Sequence, residues 1–119
     1  MKNWYLYMIR CKNGSLYTGI TIDVNRRFYE HQFDLKKGAK YLRGKGPIHL
    51  VWQYTVGTKS NAAKMEYQLK RKSKAFKERL IANQSNLYME NWILDINKGL
   101  PKKDLDKKGL KENLEIKAH

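Results

Sequence analysis

Glu66 is the side chain whose placement most demands a chemical reason. On a helix beginning near Ser60 it shares a face with Ala62, Ala63 and Leu69, at spacings of three and four. Burying an unpaired carboxylate costs on the order of several kcal/mol, so Glu66 calls for a salt bridge or a divalent cation, and taken alone the salt bridge is the commoner answer. Arg27 and His31, four residues apart, lie together on another predicted helix. There a guanidinium fork is either solvated or holds a phosphate, and an imidazole has an ordinary pKa suited to proton transfer near neutrality. Tyr7 and Tyr17 complete the set, although a pair of tyrosines in strands is more often packing than catalysis.

The elements that must position these groups follow from local pattern. Trp4 to Ile9 is a continuous apolar run rich in aromatics, the signature of a central strand covered on both faces. Asn13-Gly14 then separates it from Leu16-Tyr17-Thr18-Gly19-Ile20, a hairpin signal. A two-residue turn would put Tyr7 and Tyr17 on opposite faces. A three-residue Lys12-Asn13-Gly14 loop, with Gly14 left-handed in a bulge, sets Tyr7 opposite Gly19 and Ile9 opposite Tyr17. That register gathers Tyr5, Tyr7, Tyr17 and Thr21 on one face and Trp4, Leu6, Met8, Leu16 and Ile20 on the other, and it is preferred because it segregates polarity and sets the smallest residue against a tyrosine.

Asp23 is placed to cap a helix running to about Leu35 with an apolar stripe of Val24, Phe28 and Leu35. Residues 36–47 read KKGAKYLRGKGP, with three glycines, five basic side chains and no acid, and are expected to form a mobile basic loop. Ile48 to Val56 alternates as a half-buried third strand. Helices are expected from Ser60 to about Lys72 and from Lys74 to Ala82, and Ser85 is placed to cap a last one carrying Met89, Trp92, Ile93 and Ile96. Beyond Pro101 the lysine-rich end either frays or forms a weak helix. The result is an α+β fold, a small three-stranded, mostly antiparallel sheet flanked by helices, with a domain over residues 1–82 and a helical extension over 83–119.

The chain has 119 residues, enough for one modest core, and 25 Lys and Arg against 11 acids give a net charge of +14. Residues 1–82 hold 18 basic and 5 acidic side chains, and residues 83–119 hold 7 and 6. The globular part therefore carries the polyanion signal, pointing to nucleic acid before an anionic membrane surface. The single cysteine, Cys11, excludes an internal disulfide and a cysteine-rich zinc site. The apolar run at the start is too short for a signal segment or a membrane span, so a soluble, cytoplasmic protein that does not engage a membrane is expected.

The order Tyr7, Tyr17, Gly19, Arg27, His31, Glu66 resembles the GIY-YIG nuclease superfamily. Tyr5-Leu6-Tyr7 stands for its first motif and Tyr17-Thr18-Gly19 for its second. WYLYMIRCKNGSLYTGITIDVNRRFYEHQ and KGAKYLRGKGP look more specifically like the small single-domain bacterial members related to the nuclease subunit of excision repair. The resemblance runs from Trp4 to about Leu80. It implies that Tyr7 and Tyr17 orient or deprotonate the attacking water, that Arg27 steadies the scissile phosphate, and that Glu66 ligates one Mg²⁺ or Mn²⁺. His31 matches a position that in relatives touches the phosphate or the leaving group. The sequence departs from the pattern at Tyr5, which replaces a glycine, at Ile20, which stands where repair-type members carry a lysine, and in the late asparagine, whose spacing falls near Glu78.

The division of labour makes chemical sense, because a phosphodiester needs a deprotonated nucleophile, neutralised charge and a stabilised leaving oxygen. One carboxylate suffices for a Mg²⁺ ion that fills its shell with water and phosphate oxygens. A tyrosine ordinarily titrates near 10, so a phenolate base needs neighbouring positive charge, and Tyr17 and His31 stand as competing bases. Lys36, Lys37, Lys40, Arg43 and Lys45 are expected to track the sugar-phosphate backbone. The resulting expectation is a metal-dependent endonuclease acting on DNA by shape. A noncatalytic nucleic-acid-binding module and an adaptor using the tail helix are the alternatives, and the oligomeric state is left open.

Overall fold

The computed structural model describes residues 2–83 together with Met89, Trp92 and Ile93. The elements run β1 (Trp4–Arg10), β2 (Leu16–Thr21), α1 (Val24–Phe33), β3 (His49–Gly57), α2 (Lys59–Lys70) and α3 (Lys74–Ala82), with a 3-10 turn at Lys40–Leu42 between α1 and β3. The strands form one antiparallel sheet in the order β2-β1-β3, so the apolar first strand is central, within the expected α+β architecture. The chain divides into two units, Met1–Ile81 and Ala82–His119, and every expected site residue lies in the first. Met89, Trp92 and Ile93 are helical, and the side chains of Met89 and Trp92 are buried. The rest of the expected last helix and the segment beyond Pro101 lie outside the described residues.

The hairpin adopts the three-residue loop. Tyr7 pairs with Gly19 and Ile9 with Tyr17, Gly14 is left-handed at φ +87°, and Asn13 Oδ1 accepts from the Ser15 backbone N–H at 3.0 Å. Both faces of β1 are covered, since Leu6, Tyr7, Met8 and Ile9 are each at most 2% exposed. Tyr7 and Ile9 belong to a buried cluster with Cys11, Val24, Leu42 and Ile48, against which Tyr17, Phe28 and Leu50 pack.

The third strand departs from simple alternation. A register shift between Met8 and Ile9 leaves Ile9 opposite Leu50 and Met8 opposite Trp52. The apolar residues that alternation assigns to one face are therefore split by a bulge: Ile48 and Leu50 join the Tyr7 cluster, while Trp52 and Tyr54 pair with Met8 and Leu6 on the other side.

Asp23 caps α1 by accepting from the Arg26 N–H at 3.0 Å, but the helix ends at Phe33 and not near Leu35. Asp34 stops it, because its Oδ1 accepts from the backbone N–H groups of Lys36 and Lys37 at 3.0 and 2.9 Å and closes a turn. Leu35 is thereby turned out of the stripe and is 77% exposed.

Thr58 caps α2 through its hydroxyl, which accepts from the Asn61 N–H. This helix packs on all three strands and buries Ala62, Met65 and Leu69. Ala63, expected on that face, is exposed one position further round the turn. Helix α3 is fastened to the central strand by Arg10, whose Nη1 and Nη2 donate to the two Glu78 carboxylate oxygens at 2.7 and 2.6 Å. Glu78 is thus engaged in packing α3. Arg10→Ala is expected to lower stability by about 1 kcal/mol, as befits a two-pronged but partly solvated pair, and to appear as a lower urea midpoint at unchanged m-value.

Candidate active site

The hairpin register determines the floor of the site. Tyr7 and Tyr17 project from the same face of adjacent strands, with ring centroids 6.4 Å apart. Tyr7 crosses its own pairing partner, so that a Cβ built on Gly19 would lie 2.5 Å from the Tyr7 hydroxyl oxygen and 2.6 Å from its Cζ. Gly19 is therefore required by close approach, since any side chain there would occupy the space of the ring.

Helix α1 supplies the next two groups. His31 is buried, and its Nε2 lies 2.8 Å from the Tyr7 hydroxyl. Its Nδ1 accepts from the Ala39 backbone N–H at 3.1 Å. A neutral ring that accepts at Nδ1 carries its proton on Nε2, so His31 donates to the Tyr7 oxygen and leaves the Tyr7 O–H free to donate outward. Burial lowers the His31 pKa from 6.5 to about 4, and the nearby Arg27 charge acts in the same direction while Glu30 opposes it. Burial also pushes the Tyr7 hydroxyl well above its ordinary range; Tyr17 and Glu66 act in the same direction, and Arg27 opposes them. At neutral pH the pair is thus a neutral imidazole donating to a neutral phenol.

Arg27 is held in a fixed orientation. Its Nη1 donates to Glu30 Oε1 at 3.0 Å and to the Lys37 carbonyl at 2.7 Å, which occupies both protons of that nitrogen. The remaining N–H groups of the fork are left for Tyr7, whose titration Arg27 influences, and for an arriving anion.

Glu66 stands on α2 with a side chain 25% exposed, and Lys70 Nζ approaches its Oε2 at 3.4 Å. A salt bridge is present, but with an exposed partner in an i,i+4 pair of small energetic weight. Glu66 also acts electrostatically on Tyr7, so each of the other four expected site residues bears on Tyr7 by contact or by charge. Among the described residues no group of three or more His, Cys, Asp or Glu could hold a metal. A zinc-type cage is therefore not formed by these residues; the donor set fits a hard divalent cation that takes one carboxylate and completes its shell with water and phosphate oxygens.

The basic segment is anchored, contrary to the expected mobile loop. Leu42 is buried in the Tyr7 cluster, Ala39 bonds His31, the Lys45 carbonyl accepts from the Lys12 N–H at 3.0 Å, and Arg43 Nη2 donates to the Leu35 carbonyl. Gly38 has no room for a Cβ, which would lie 2.8 Å from the Asp34 carbonyl. Lys36, Lys37, Lys40 and Arg43 are exposed, whereas Lys45 is half-buried with its Nζ 3.4 Å from the Tyr41 ring centroid. Sequence reasoning missed Tyr41, which stacks on Tyr17 at 5.8 Å and 29°. Only its position between Lys40 and Arg43 hinted at a role.

The low His31 pKa has a consequence for stability. Between about pH 4 and 6.5 the unfolded chain binds a proton at His31 that the folded chain does not, so this group's contribution is present above pH 6.5 and is lost as the pH falls towards 4. The stability difference between the wild-type chain and His31→Gln is expected to shrink over that interval in urea melts. A difference that is constant with pH would contradict the neutral, buried imidazole.

A family model described as the GIY-YIG catalytic domain matches residues 3–79. A UPF0213 protein of Aeromonas hydrophila is 47% identical over 91 residues, covering 76% of this chain and 62% of that protein. A UPF0213 protein of Vibrio cholerae is 51% identical over 85 residues, covering 71% of this chain and 82% of its own length. The chain thus spans less than two thirds of the A. hydrophila relative, as it does of one from Aeromonas salmonicida, where the match covers 56%. Among solved structures, the solution NMR structure of a protein from E. faecalis is 32% identical, with a TM-score of 0.50 over 69% of this chain and 85% of that one. With its two tyrosines, arginine and glutamate around one ring, the chain belongs to the GIY-YIG catalytic-domain family, in its UPF0213 group.

Proposed function

We propose that this protein is a metal-dependent endonuclease that hydrolyses DNA phosphodiester bonds and selects its substrate by shape rather than by base sequence. The observation that carries the reading is the grouping at Tyr7: His31 bonds its hydroxyl, Tyr17 lies beside its ring, and Arg27 and Glu66 act on it electrostatically. Lys36, Lys37, Lys40 and Arg43 are exposed, on the segment whose Lys37 carbonyl and Ala39 N–H bond Arg27 and His31, and suit backbone contact. Among the described residues no helix is long and apolar enough to cross a membrane.

Each residue then has a task that follows from its surroundings. Arg27, with one nitrogen tied to Glu30 and Lys37, offers the rest of its fork to the scissile phosphate and offsets the negative charge that grows there. His31 donates to Tyr7 and fixes the rotation of its hydroxyl. It is poorly suited to act as a base, because its one lone pair is occupied by the Ala39 N–H. Tyr7 stays protonated and donates to the attacking water or to a phosphate oxygen. Tyr17, beside Tyr7 with ring centroids 6.4 Å apart, is the group placed to take the proton of that water. Glu66 would hold one Mg²⁺ or Mn²⁺, which when bound supplies Lewis-acid neutralisation of the phosphate and leaving oxygen.

The test is a panel of labelled duplex, flap, branched and single-stranded DNA, incubated with Mg²⁺, with Mn²⁺ and with chelator. Cutting that depends on metal and differs among shapes but not among sequences of one shape is expected. Salt-sensitive binding of every substrate without cutting of any would favour a noncatalytic module.

A further inference from the structure

The catalytic account assigns no task to Tyr41 and leaves Lys45 apart from the other basic residues. Tyr41 is 44% exposed, yet its ring stacks on that of Tyr17 with centroids 5.8 Å apart and planes 29° apart. The Lys45 ammonium lies 3.4 Å from the Tyr41 centroid, within the range of a cation-π contact. Both residues stand on a fixed frame, because Leu42 between them is buried and the Lys45 carbonyl is bonded to the Lys12 N–H. Tyr17 needs such support, since it sits on the edge strand β2. Besides packing against the buried cluster, it meets the rings of Tyr7, His31 and Tyr41, with His31 edge-on at 5.4 Å and 70°.

We propose that Tyr41, capped by Lys45, is a positioning residue for Tyr17, and that Lys45 serves the site through this stack rather than through the DNA backbone. Tyr41 stacks on the Tyr17 ring, while His31 meets the ring edge-on. The 39–45 segment then controls both tyrosines: Ala39 sets the His31 tautomer that orients Tyr7, and Tyr41 sets the ring of Tyr17. The consequence for turnover rests on the nuclease reading, whereas the stack does not.

The experiment uses the full chain labelled with 3-fluorotyrosine, the Tyr17 fluorine signal being assigned by its loss in Tyr17→Phe. That signal is expected to move in Tyr41→Ala, to move less in Lys45→Gln, and to return close to its wild-type position in Tyr41→Phe, which keeps the ring. An unmoved Tyr17 signal in Tyr41→Ala overturns the proposal whether or not the protein cuts DNA. In turnover, Tyr41→Ala is expected to lower kcat roughly tenfold with KM within about twofold, and Tyr41→Phe to restore it. Lys45→Gln is expected to lower kcat roughly two- to fivefold while leaving the salt dependence of binding as in the wild type. Lys40→Gln, by contrast, should reduce that slope by about one unit. A loss confined to KM in Tyr41→Ala, or a reduced salt slope in Lys45→Gln, would return Lys45 to the phosphate-contacting set. A wild-type chain that does not cut removes the nuclease reading alone, and the fluorine signals still decide the stack.

Discussion

Glu66→Gln is expected to leave DNA binding intact and to abolish cutting. The change is isosteric and removes only the charge. Its structural cost is the Lys70 contact at 3.4 Å, an exposed i,i+4 pair contributing about 0.2 to 0.5 kcal/mol, so the variant folds. Binding is retained or strengthened, because a negative charge disappears from a chain that already carries +14. Turnover is another matter. Among the described residues no group of three or more His, Cys, Asp or Glu could take over a metal ion, and Lewis-acid stabilisation of a phosphoryl transition state is worth several kcal/mol. At about 1.4 kcal/mol for each factor of ten, a loss of roughly 10³-fold or more follows. It should appear in kcat rather than in KM, and added Mn²⁺ should restore little of it. Cutting by Glu66→Gln at the wild-type rate would remove Glu66 from the chemistry.

Gly19→Ala is expected to damage both stability and turnover from a position that bears no functional group. The new methyl would lie 2.5 Å from the Tyr7 oxygen and 2.6 Å from its Cζ. The ring has little room to withdraw, since Tyr7 is 2% exposed and is packed with Ile9, Val24, Leu42 and Ile48. Overpacking of this kind costs about 1 to 3 kcal/mol. Relief of the clash requires the Tyr7 hydroxyl to shift from the position in which it lies 2.8 Å from His31 Nε2. A displacement of about 1 Å at a reacting group can cost roughly 10²-fold in rate. Gly19→Ala should therefore lower the urea midpoint and reduce kcat about a hundredfold while leaving salt-dependent binding unchanged. An alanine variant with wild-type stability and turnover would show that Tyr7 does not depend on the space above Gly19.

The parts of this arrangement that could be read from sequence are those fixed by local signals. Asn13-Gly14 between two strand-like runs marks the hairpin, and the segregation of polarity with Gly19 opposite Tyr7 selects the register that puts Tyr7 and Tyr17 on one face. Asp23 marks the start of α1 by its capping oxygen, and the four-residue spacing of Arg27 and His31 puts them on one side of it. What escaped lies outside the periodic pattern. Asp34 ends α1 through bonds to backbone groups that follow it, a competition that the apolar spacing of Leu35 conceals. The basic segment has no periodicity, and its order comes from burial of Leu42, the Ala39 bond to His31 and the Lys12 bond to Lys45, each made to a residue outside the segment. The His31 tautomer, and with it the choice between His31 and Tyr17 as base, depends on one backbone N–H that no pattern announces. The bulge in β3 is hidden because strict alternation is satisfied on paper at Ile48, Leu50 and Trp52, although the backbone sends them to different faces.

The central claim is that the residues around the Tyr7 hydroxyl cut DNA with the help of a divalent ion held by Glu66. It is tested most directly by single-turnover cleavage of one labelled flap DNA, run side by side for the wild-type chain and Glu66→Gln, in Mg²⁺ and in chelator. Product is expected only from the wild-type chain in Mg²⁺, with Glu66→Gln binding the DNA at least as well as the wild type. Equal cutting by the two proteins, or cutting by the wild type that persists in chelator, would contradict it.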